Sequence, residues 1–306
     1  MKNKHKKEAI LSAIALALVA LTWGTSYAII KDALSTIKPF TLMTLRFGLS
    51  TIILAVFSVK RLKKVRRKDL YQGSIVGIFM FLSFLTLVTG ISYTTASKQS
   101  FIIGAYVLIV PLLSWVINKK RPDIYSVLGI ILATVGIGLL TISGDFYINK
   151  GDVISILCAL FFAGHMIAIE HFSKESDPII STIIQFAVTS VLFILLTVTF
   201  ESFDFILTGK LIISVVYLVI VTTVIAFAIQ NIAQAHISAT STALILTLES
   251  AFGGIFSLIV LKETMNLQMI IGCIIVFIGI LIGQSKLKFI KKLKFDFKKK
   301  LKKLWS

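Results

Sequence analysis

Apolar residues run along this chain in long stretches with few interruptions, unlike the one-sided or alternating patterns of soluble helices and strands. Ten of these stretches approach the roughly 20 residues that a membrane-spanning helix needs. Because each stretch is apolar on every face, it predicts a helix and not a strand of a membrane barrel, which alternates. The ten predicted spans are 9–30, 40–58, 71–93, 96–117, 124–142, 153–171, 179–200, 211–232, 237–261 and 267–282.

The composition agrees with a membrane protein. Of the 306 residues, 57% are apolar (AVILMFWYC) and 15% are charged, whereas a soluble domain has roughly 45–50% apolar and about 25% charged residues. The segments between the spans are too short to hold a folded soluble domain, which seldom has fewer than ~50 residues. Any chemistry must therefore take place inside the helix bundle.

The formal net charge of +18 raises the question of nucleic acid binding, because clustered Lys and Arg neutralise phosphates. Most of the 32 basic residues, however, flank the apolar spans, at 2–7, 60–68, 119–121 and 286–303. This distribution predicts anionic membrane lipids as the partner, and no nucleic acid.

The same distribution predicts the orientation of the chain, because Lys and Arg accumulate in cytoplasmic loops. With ten spans and both termini inside, 25 basic residues are cytoplasmic and six are external. We therefore expect a multi-pass protein of the plasma (inner) membrane with both termini in the cytoplasm.

Each end of the chain allows two interpretations. The first span, with small residues at 26 and 28, could be a cleaved secretory signal, but its long unbroken apolar run favours a spanning helix. In the tail, apolar residues recur every three or four positions between 290 and 304, and Lys fills the other faces. This pattern is typical of an amphipathic helix on the cytoplasmic leaflet. The alternative is a disordered basic tail that only sets topology.

An internal repeat organises the chain. A shift of 143 residues aligns 95–140 with 238–283 without a gap, and it pairs two glycines of each segment. Each half then holds five spans, and since five is odd, the second half enters the membrane from the opposite side. The predicted fold is an all-α membrane protein with ten spanning helices in two inverted repeats, an architecture that recurs in secondary transporters. It divides the chain into a basic N-terminus, a first repeat, an external linker, a second repeat and a basic tail, at 1–8, 9–142, 143–152, 153–284 and 285–306.

The sequence resembles the drug/metabolite transporter superfamily, in particular its EamA-type ten-helix members. The resemblance covers about residues 9–284 and rests on the order and spacing of short motifs: Trp23-Gly24-Thr25-Ser26, Arg46-Phe47, Gly104-Ala105-Tyr106, Val110-Pro111-Leu112-Leu113, and Leu248-Glu249-Ser250 followed by Lys262-Glu263.

The resemblance implies efflux or exchange of small metabolites, amino acids or drugs by alternating access. Import by the same fold is the alternative. Ser250 stands where the family commonly has proline, so we expect any kink in that span to come from Gly253-Gly254.

Glu249 is the strongest candidate for a functional residue. It lies at the middle of the ninth span, and an acid there is costly unless it is neutral, paired or facing water. The repeat places Tyr106 at the equivalent depth of the fourth span. Glu249 could therefore take a proton or pair with a cationic substrate group; a structural acid hydrogen-bonded across helices is the alternative.

Two residues of the first two spans are further candidates for substrate contact. Arg46 could bind a substrate carboxylate or act in gating, or its guanidinium could reach the outer interface by snorkelling. Trp23 could line the cavity or pack against a neighbouring helix.

Five further residues could bend the spans or form hydrogen bonds between them. Pro111 and Gly253-Gly254 could interrupt helices at corresponding places of the two halves, a pattern that points to a transporter site. His165 and Gln185 could join a relay or form a hydrogen bond between helices.

A membrane-embedded enzyme or a channel is the competing class of function. The sequence has no HExxH, GxSxG or P-loop motif and nothing that resembles a selectivity filter, so an enzyme, an ATP-driven pump and a channel are all disfavoured. Cys158 and Cys273 both fall within apolar stretches. They are interpreted as small buried hydrophobes rather than a disulfide or metal pair, and no cofactor or metal is expected.

Overall fold

A computed structural model describes residues 2–118, 124–141, 149–173, 175–262 and 266–284. Its helices are α1 (Lys2–Ala33), α2 (Pro39–Phe57), α3 (Val59–Leu62), α4 (Arg67–Ile91), α5 (Ala96–Gly104), α6 (Tyr106–Asn118), α7 (Ile124–Thr141), α8 (Lys150–Phe172), α9 (Pro178–Phe200), α10 (Gly209–Val219), α11 (Ala226–Gln234), α12 (Ala239–Leu246), α13 (Leu248–Val260) and α14 (Leu267–Gln284). One turn of π-helix, Ile220–Ile225, joins α10 to α11.

Eight helical segments are long and apolar enough to span a membrane. They coincide with eight of the ten predicted spans, which supports the multi-pass α-helical membrane protein expected from the sequence. The segments are Ile10–Ala33, Pro39–Phe57, Arg67–Ile91, Ala96–Ile117, Lys150–Phe172, Pro178–Phe200, Gly209–Gln234 and Ala239–Val260.

The other two predicted spans, 124–142 and 267–282, coincide with α7 and α14. Their described apolar stretches, Val127–Gly136 and Ile270–Gly279, are shorter. These two helices pack along each other, and a Cβ at Gly136 would lie 2.6 Å from the side chain of Val276. The loop 119–121, residues 143–148 of the linker, Lys174 and the tail 285–306 lie outside the described residues.

Local sequence signals fix the helix starts. Pro39 and Pro178 stand at the first positions of α2 and α9, where the missing N–H of proline costs nothing. The Asp177 carboxylate accepts from the Ile179 N–H at 2.8 Å, and the Asn149 side chain accepts from the Gly151 N–H at 2.9 Å. These caps satisfy backbone groups that would otherwise be unpaired at a helix start.

Helix α1 lies in the centre of the bundle. It contacts α5, α11 and α13, and its residues Leu16, Tyr27 and Ile30 are buried in the core. This packing supports the interpretation of the first apolar run as a spanning helix.

Two spans are each built from two helices. In the fourth span, α5 ends at Gly104 and α6 begins at Tyr106. In the ninth, α12 ends at Leu246 and α13 begins at Leu248. The interruptions, at Ala105 and Thr247, fall at corresponding places of the predicted repeat.

A glycine allows α1 and α13 to approach closely. A Cβ at Gly24 would lie 2.5 Å from the Phe252 Cβ and 2.9 Å from the Gly253 backbone nitrogen. Both distances are shorter than a van der Waals contact, so any side chain at this position must push the two helices apart.

We therefore expect Gly24→Ala to lower the free energy of unfolding by about 1–3 kcal/mol, the usual cost of overpacking a core. Gly209→Ala is the matched control, because nothing lies within 4 Å of a Cβ there. Thermal unfolding of both variants in detergent, followed by tryptophan fluorescence, measures the difference. Equal melting temperatures for Gly24→Ala, Gly209→Ala and the unmodified protein would contradict the close approach.

Candidate functional site

Glu249 is held inside the bundle by a tyrosine of the first span. The residue is 6% exposed, and its Oε1 accepts a hydrogen bond from the Tyr27 hydroxyl at 2.5 Å. Its second oxygen, Oε2, has no hydrogen-bond partner within the part of the chain that the structure describes. One half of the carboxyl group is thus both buried and without a hydrogen bond.

The backbone near Glu249 has the same form as the backbone near Tyr106. The Leu108 N–H donates to the Ala105 carbonyl at 2.9 Å, and the Ser250 N–H donates to the Thr247 carbonyl at 3.0 Å. Both bonds span three residues instead of the four of an α-helix. Tyr106 and Glu249 therefore lie one and two residues after interruptions that correspond to within one residue in the predicted repeat.

The positions predicted for the helix breaks need correction. Pro111 lies within α6, and Gly253 and Gly254 lie within α13, which continues through them. Proline removes only one helical hydrogen bond, which a packed membrane helix tolerates. The interruptions lie about six residues earlier in each span, at residues that carry no helix-breaking signal.

The small residues of α13 serve close packing. A Cβ at Gly253 would lie 2.6 Å from the Ser100 Cβ, and one at Gly254 would lie 2.7 Å from the Phe101 ring. Ser250 stands at the position that is commonly proline in the resembled family. Its hydroxyl donates to the Ser100 carbonyl at 3.0 Å. These contacts place the start of α13 directly against α5.

Arg46 is buried and does not reach the interface by snorkelling. It is 1% exposed; its Nε donates to the Thr223 hydroxyl at 2.6 Å, and its Nη2 donates to the Thr222 hydroxyl at 3.0 Å. The guanidinium carbon lies 4.8 Å from the centre of the Phe84 ring, a cation–π distance. Nη1 has no hydrogen-bond partner among the described residues.

Trp23 shares the same segment of backbone. Its indole Nε1 donates to the Thr222 carbonyl at 2.8 Å, and its ring lies 4.8 Å from the Phe227 ring and 5.7 Å from the Phe162 ring, centre to centre. Trp23 therefore both packs against neighbouring helices and faces the central space.

One cavity brings these residues together. Its free volume is about 30 Å³, roughly the space of one water molecule, so a substrate can enter only if the surrounding helices move apart. Most of its wall is apolar or aromatic, with charged groups only at Arg46 and Glu249. The lining residues are Trp23, Ser26, Tyr27, Arg46, Ser83, Phe84, Leu87, Ile103, Cys158, Phe162, Phe227 and Glu249.

Tyr106 lies behind this wall. Its ring packs edge-on against Phe162 at 5.0 Å, and its hydroxyl has no hydrogen-bond partner in the described ranges. Pro111, Gly253 and Gly254 do not line the cavity either. Of the predicted contact residues, the structure thus brings Trp23, Arg46 and Glu249 to the wall itself.

Three polar residues in spans have mainly structural contacts. His165 Nε2 and Gln185 Oε1 lie 2.8 Å apart, which is the hydrogen bond between helices considered for them. The Cys158 thiol donates to the Ser83 carbonyl at 3.1 Å. Both cysteines are buried and unbridged, as predicted, and Cys158 in addition lines the cavity.

Sequence reasoning missed the partners of the two charged residues. Tyr27 is four residues after Trp23, so the helical period alone could have placed it on the same face. Thr222 and Thr223 form an isolated polar pair in an apolar span. Their polarity was the one signal in the sequence that they bind Arg46. Nothing in the local sequence predicts the turn of π-helix at Ile220–Ile225, here called the π-turn.

At one end of the bundle, a buried ion pair joins α5 to α8. Lys98 Nζ lies 2.7 Å from Asp152 Oδ2, with side-chain exposures of 9% and 0%. The Thr94 hydroxyl donates to the other Asp152 oxygen at 2.9 Å. In the same region, the Glu201 carboxylate accepts from the backbone N–H of Thr41 at 2.8 Å. These contacts hold the helices together at the end at which α5 and α8 begin.

At the opposite end, the contacts are more exposed. Lys68 Nζ and Glu175 Oε2 lie 2.7 Å apart, and Gln72 Nε2 donates to the same oxygen at 2.8 Å. The Lys68 ammonium, with help from Gln72, holds the pKa of Glu175 below its usual range. The Glu170 carboxylate accepts from the Ala239 N–H at 3.0 Å. The central cavity therefore lies between two clusters of polar contacts, one at each end of the bundle.

Apolar helices long enough to span a membrane, around a cavity lined by a buried acid and a buried base, are typical of membrane transport proteins. The chain belongs to the EamA-like transporter family, whose family model matches it twice, over residues 10–142 and 149–283. This membership confirms the resemblance to the drug/metabolite transporter superfamily, and it supports a transport protein rather than an enzyme.

Related proteins and a solved structure agree with this family membership. A protein of Archaeoglobus fulgidus described as an uncharacterized transporter is 31% identical, over 88% of this chain and 84% of its own length. The uncharacterized transporter YvbV of Bacillus subtilis is 23% identical, over 90% and 92%. A crystal structure with 16% identity covers 89% of this chain and 97% of its own, with a TM-score of 0.66. This last similarity shows the fold.

The contact between Tyr27 and Glu249 can be measured by a double-mutant cycle of Tyr27→Phe and Glu249→Leu, which removes the acceptor. We expect a coupling of about 1–3 kcal/mol in the free energy of unfolding, because the hydrogen bond joins a buried carboxyl group to its donor. Tyr217→Phe is the matched control, since the Tyr217 hydroxyl lies 2.7 Å from the Thr25 hydroxyl. That variant should be additive with Glu249→Leu; additive effects of Tyr27→Phe would contradict the contact.

Proposed function

We propose that this protein is a secondary active transporter that moves a small metabolite, amino acid or drug across the plasma membrane, as an exporter or an exchanger. Transport takes place by alternating access of the cavity between α1, α2, α8 and α13. The alternative is import by a protein of the same fold. Family membership supports the transport function, and the cavity supports the route.

The observation that carries this proposal is an acid and a base that line one cavity without bonding to each other. Arg46 and Glu249 both line the space, yet each bonds to uncharged groups, the threonines of the π-turn and Tyr27. Buried charges in a membrane are costly and mark substrate or ion pathways. A packing role would be filled at lower cost by apolar side chains.

Glu249 is the residue whose charge state the transport cycle uses. Oε2 of its carboxyl group can accept a proton from one side of the membrane and release it to the other, or it can bind a cationic group of the substrate. The Tyr27 hydroxyl keeps the carboxyl group in place in both cases. Because the cavity wall is otherwise apolar near Glu249, a change of its charge alters the preference for an open or a closed cavity.

The proposal includes an inverted architecture of five plus five spans. It is supported by the two matches of the family model and by the equivalent interruptions at Ala105 and Thr247. We place the two repeats at 9–142 and 153–284, joined by an external linker. The basic ends at 1–8 and 285–306 then lie in the cytoplasm, where the tail binds anionic lipids.

We expect Glu249→Gln to abolish gradient-driven transport while protein level and melting temperature stay near normal. The amide keeps the size and the hydrogen bond from Tyr27 but cannot titrate. The measurement is uptake into proteoliposomes of amino acids, nucleobases and cationic dyes, with and without a pH gradient. Glu175→Gln is the matched control, because that carboxylate is half exposed at the end of the bundle. Unchanged gradient-driven rates in Glu249→Gln would contradict the proposed coupling role.

The topology can be tested with single cysteines at exposed loop positions. In a background with Cys158 and Cys273 replaced by alanine, we expect Asp204→Cys to react with an impermeant thiol reagent added outside intact cells. Lys64→Cys should react only after the membrane is permeabilised, because the basic loop 60–68 is cytoplasmic. Both side chains are exposed in the structure, so the reverse pattern would contradict the orientation.

A further inference from the structure

The π-turn places an unusual number of polar groups on one side of its span. Thr223 Oγ1 donates to the Leu218 carbonyl, five residues earlier, at 2.7 Å, and Thr222 Oγ1 donates to the same carbonyl at 2.9 Å. The hydroxyl protons are therefore committed to the backbone. Their oxygen lone pairs, and the Thr222 carbonyl, are left to accept hydrogen bonds from the first two spans.

Arg46 uses these acceptors with one edge of its guanidinium. Nε binds Thr223 Oγ1 at 2.6 Å, and Nη2 binds Thr222 Oγ1 at 3.0 Å with a longer contact to the Thr222 carbonyl at 3.4 Å. Because both hydroxyls face the same edge, the planar group has a fixed orientation. Nη1, on the far side, is left without a hydrogen-bond partner in the described part of the chain.

No carboxylate of the described residues lies within 4 Å of the Arg46 guanidinium. Glu249, the acid that shares its cavity, is bonded to Tyr27. Threonine hydroxyls and the Phe84 ring stabilise the cation but do not neutralise it. A buried arginine whose positive charge is not neutralised, and which has two N–H groups without acceptors, can bind an anion.

We propose that Nη1 of Arg46 is the anchor for a carboxylate of the substrate, and that Thr222 and Thr223 of the π-turn are the positioning residues that aim it. The inference rests on the proposed transport function and names its substrate class: organic monocarboxylates with an apolar body. The apolar body would lie against the aromatic wall of Trp23, Phe162 and Phe227. A phosphate dianion fits less well, because one guanidinium faces it and Glu249 adds negative charge to the same cavity.

Ligand-induced stabilisation of the purified full-length protein in detergent tests this selectivity. The probes share a phenyl group and differ in charge: 3-phenylpropionate, 3-phenylpropionamide, 3-phenylpropylamine and phenyl phosphate. The concentration dependence of the melting temperature gives a Kd for each. We expect the propionate to bind at least about tenfold more tightly than the amide, the amine or the phosphate, as a charge-assisted pair requires.

Variants of the π-turn separate positioning from general stability. Thr223→Val removes the acceptor for Nε at nearly constant volume and should reduce the preference for the acid over the amide to about twofold or less, while Thr223→Ser should restore it. Thr189→Val is the control, since that buried hydroxyl donates to the Gly77 carbonyl. It should leave the preference unchanged.

Equal binding of acid and amide, a preference for the amine, or no binding of any probe would overturn the proposal. So would an unchanged acid preference in Thr223→Val. These outcomes differ from a failure of the proposed coupling role of Glu249. In that case Glu249→Gln would transport at wild-type rates, and the preference for the acid in this binding assay would remain.

Discussion

Charge is expensive inside a membrane, and the centre of this protein is built around two residues that carry it. Arg46 is stabilised by two threonine hydroxyls and an aromatic ring, and Glu249 by one tyrosine hydroxyl. Each partner set satisfies one edge of its group and leaves the other edge buried without a hydrogen-bond partner among the described residues. An ion pair between the two residues would lower the cost of burying them, but it would also occupy the groups that we propose bind a substrate or a proton.

Irregular backbone provides hydrogen-bonding geometry that side chains on a regular helix do not provide. Interior backbone groups of a regular membrane helix are already paired within the helix, so polar recognition in lipid depends on places where the helix is irregular. Three such places lie within two residues of the cavity wall along the chain: the π-turn at Ile220–Ile225 and the interruptions at Ala105 and Thr247. Close approaches at Gly24 and Gly253 bring these segments within reach of one another. Small residues at helix interfaces have this role in membrane proteins generally.

Much of the fold could be predicted from the sequence, because hydropathy and the membrane allow few alternatives. Long apolar runs gave eight spans directly, and an acid at mid-span marked Glu249. The residues that complete the site could not be predicted in the same way. Tyr27 and Glu249 are 222 positions apart, so their contact depends on the packing of α1 against α13.

The irregular backbone was the other feature that the sequence did not disclose. Pro111 and the paired glycines were expected to break their helices, yet tertiary packing keeps those turns helical and places the interruptions at Ala105 and Thr247. The segment from Ile220 to Ile225 has the composition of an ordinary apolar helix. Its π-turn is stabilised by the contacts of Thr222 and Thr223 with other spans, which local sequence does not encode.

Under the proposed mechanism, the cavity opens to each side of the membrane in turn. Cys158 lines that cavity and is a native reporter of access to it. In Cys273→Ala protein, reconstituted in one orientation, an impermeant methanethiosulfonate is applied to one side of the membrane at a time, and labelling of Cys158 is measured. Alternating access predicts labelling from either side, with a substrate slowing both reactions. Labelling from one side alone, or from neither, would contradict it.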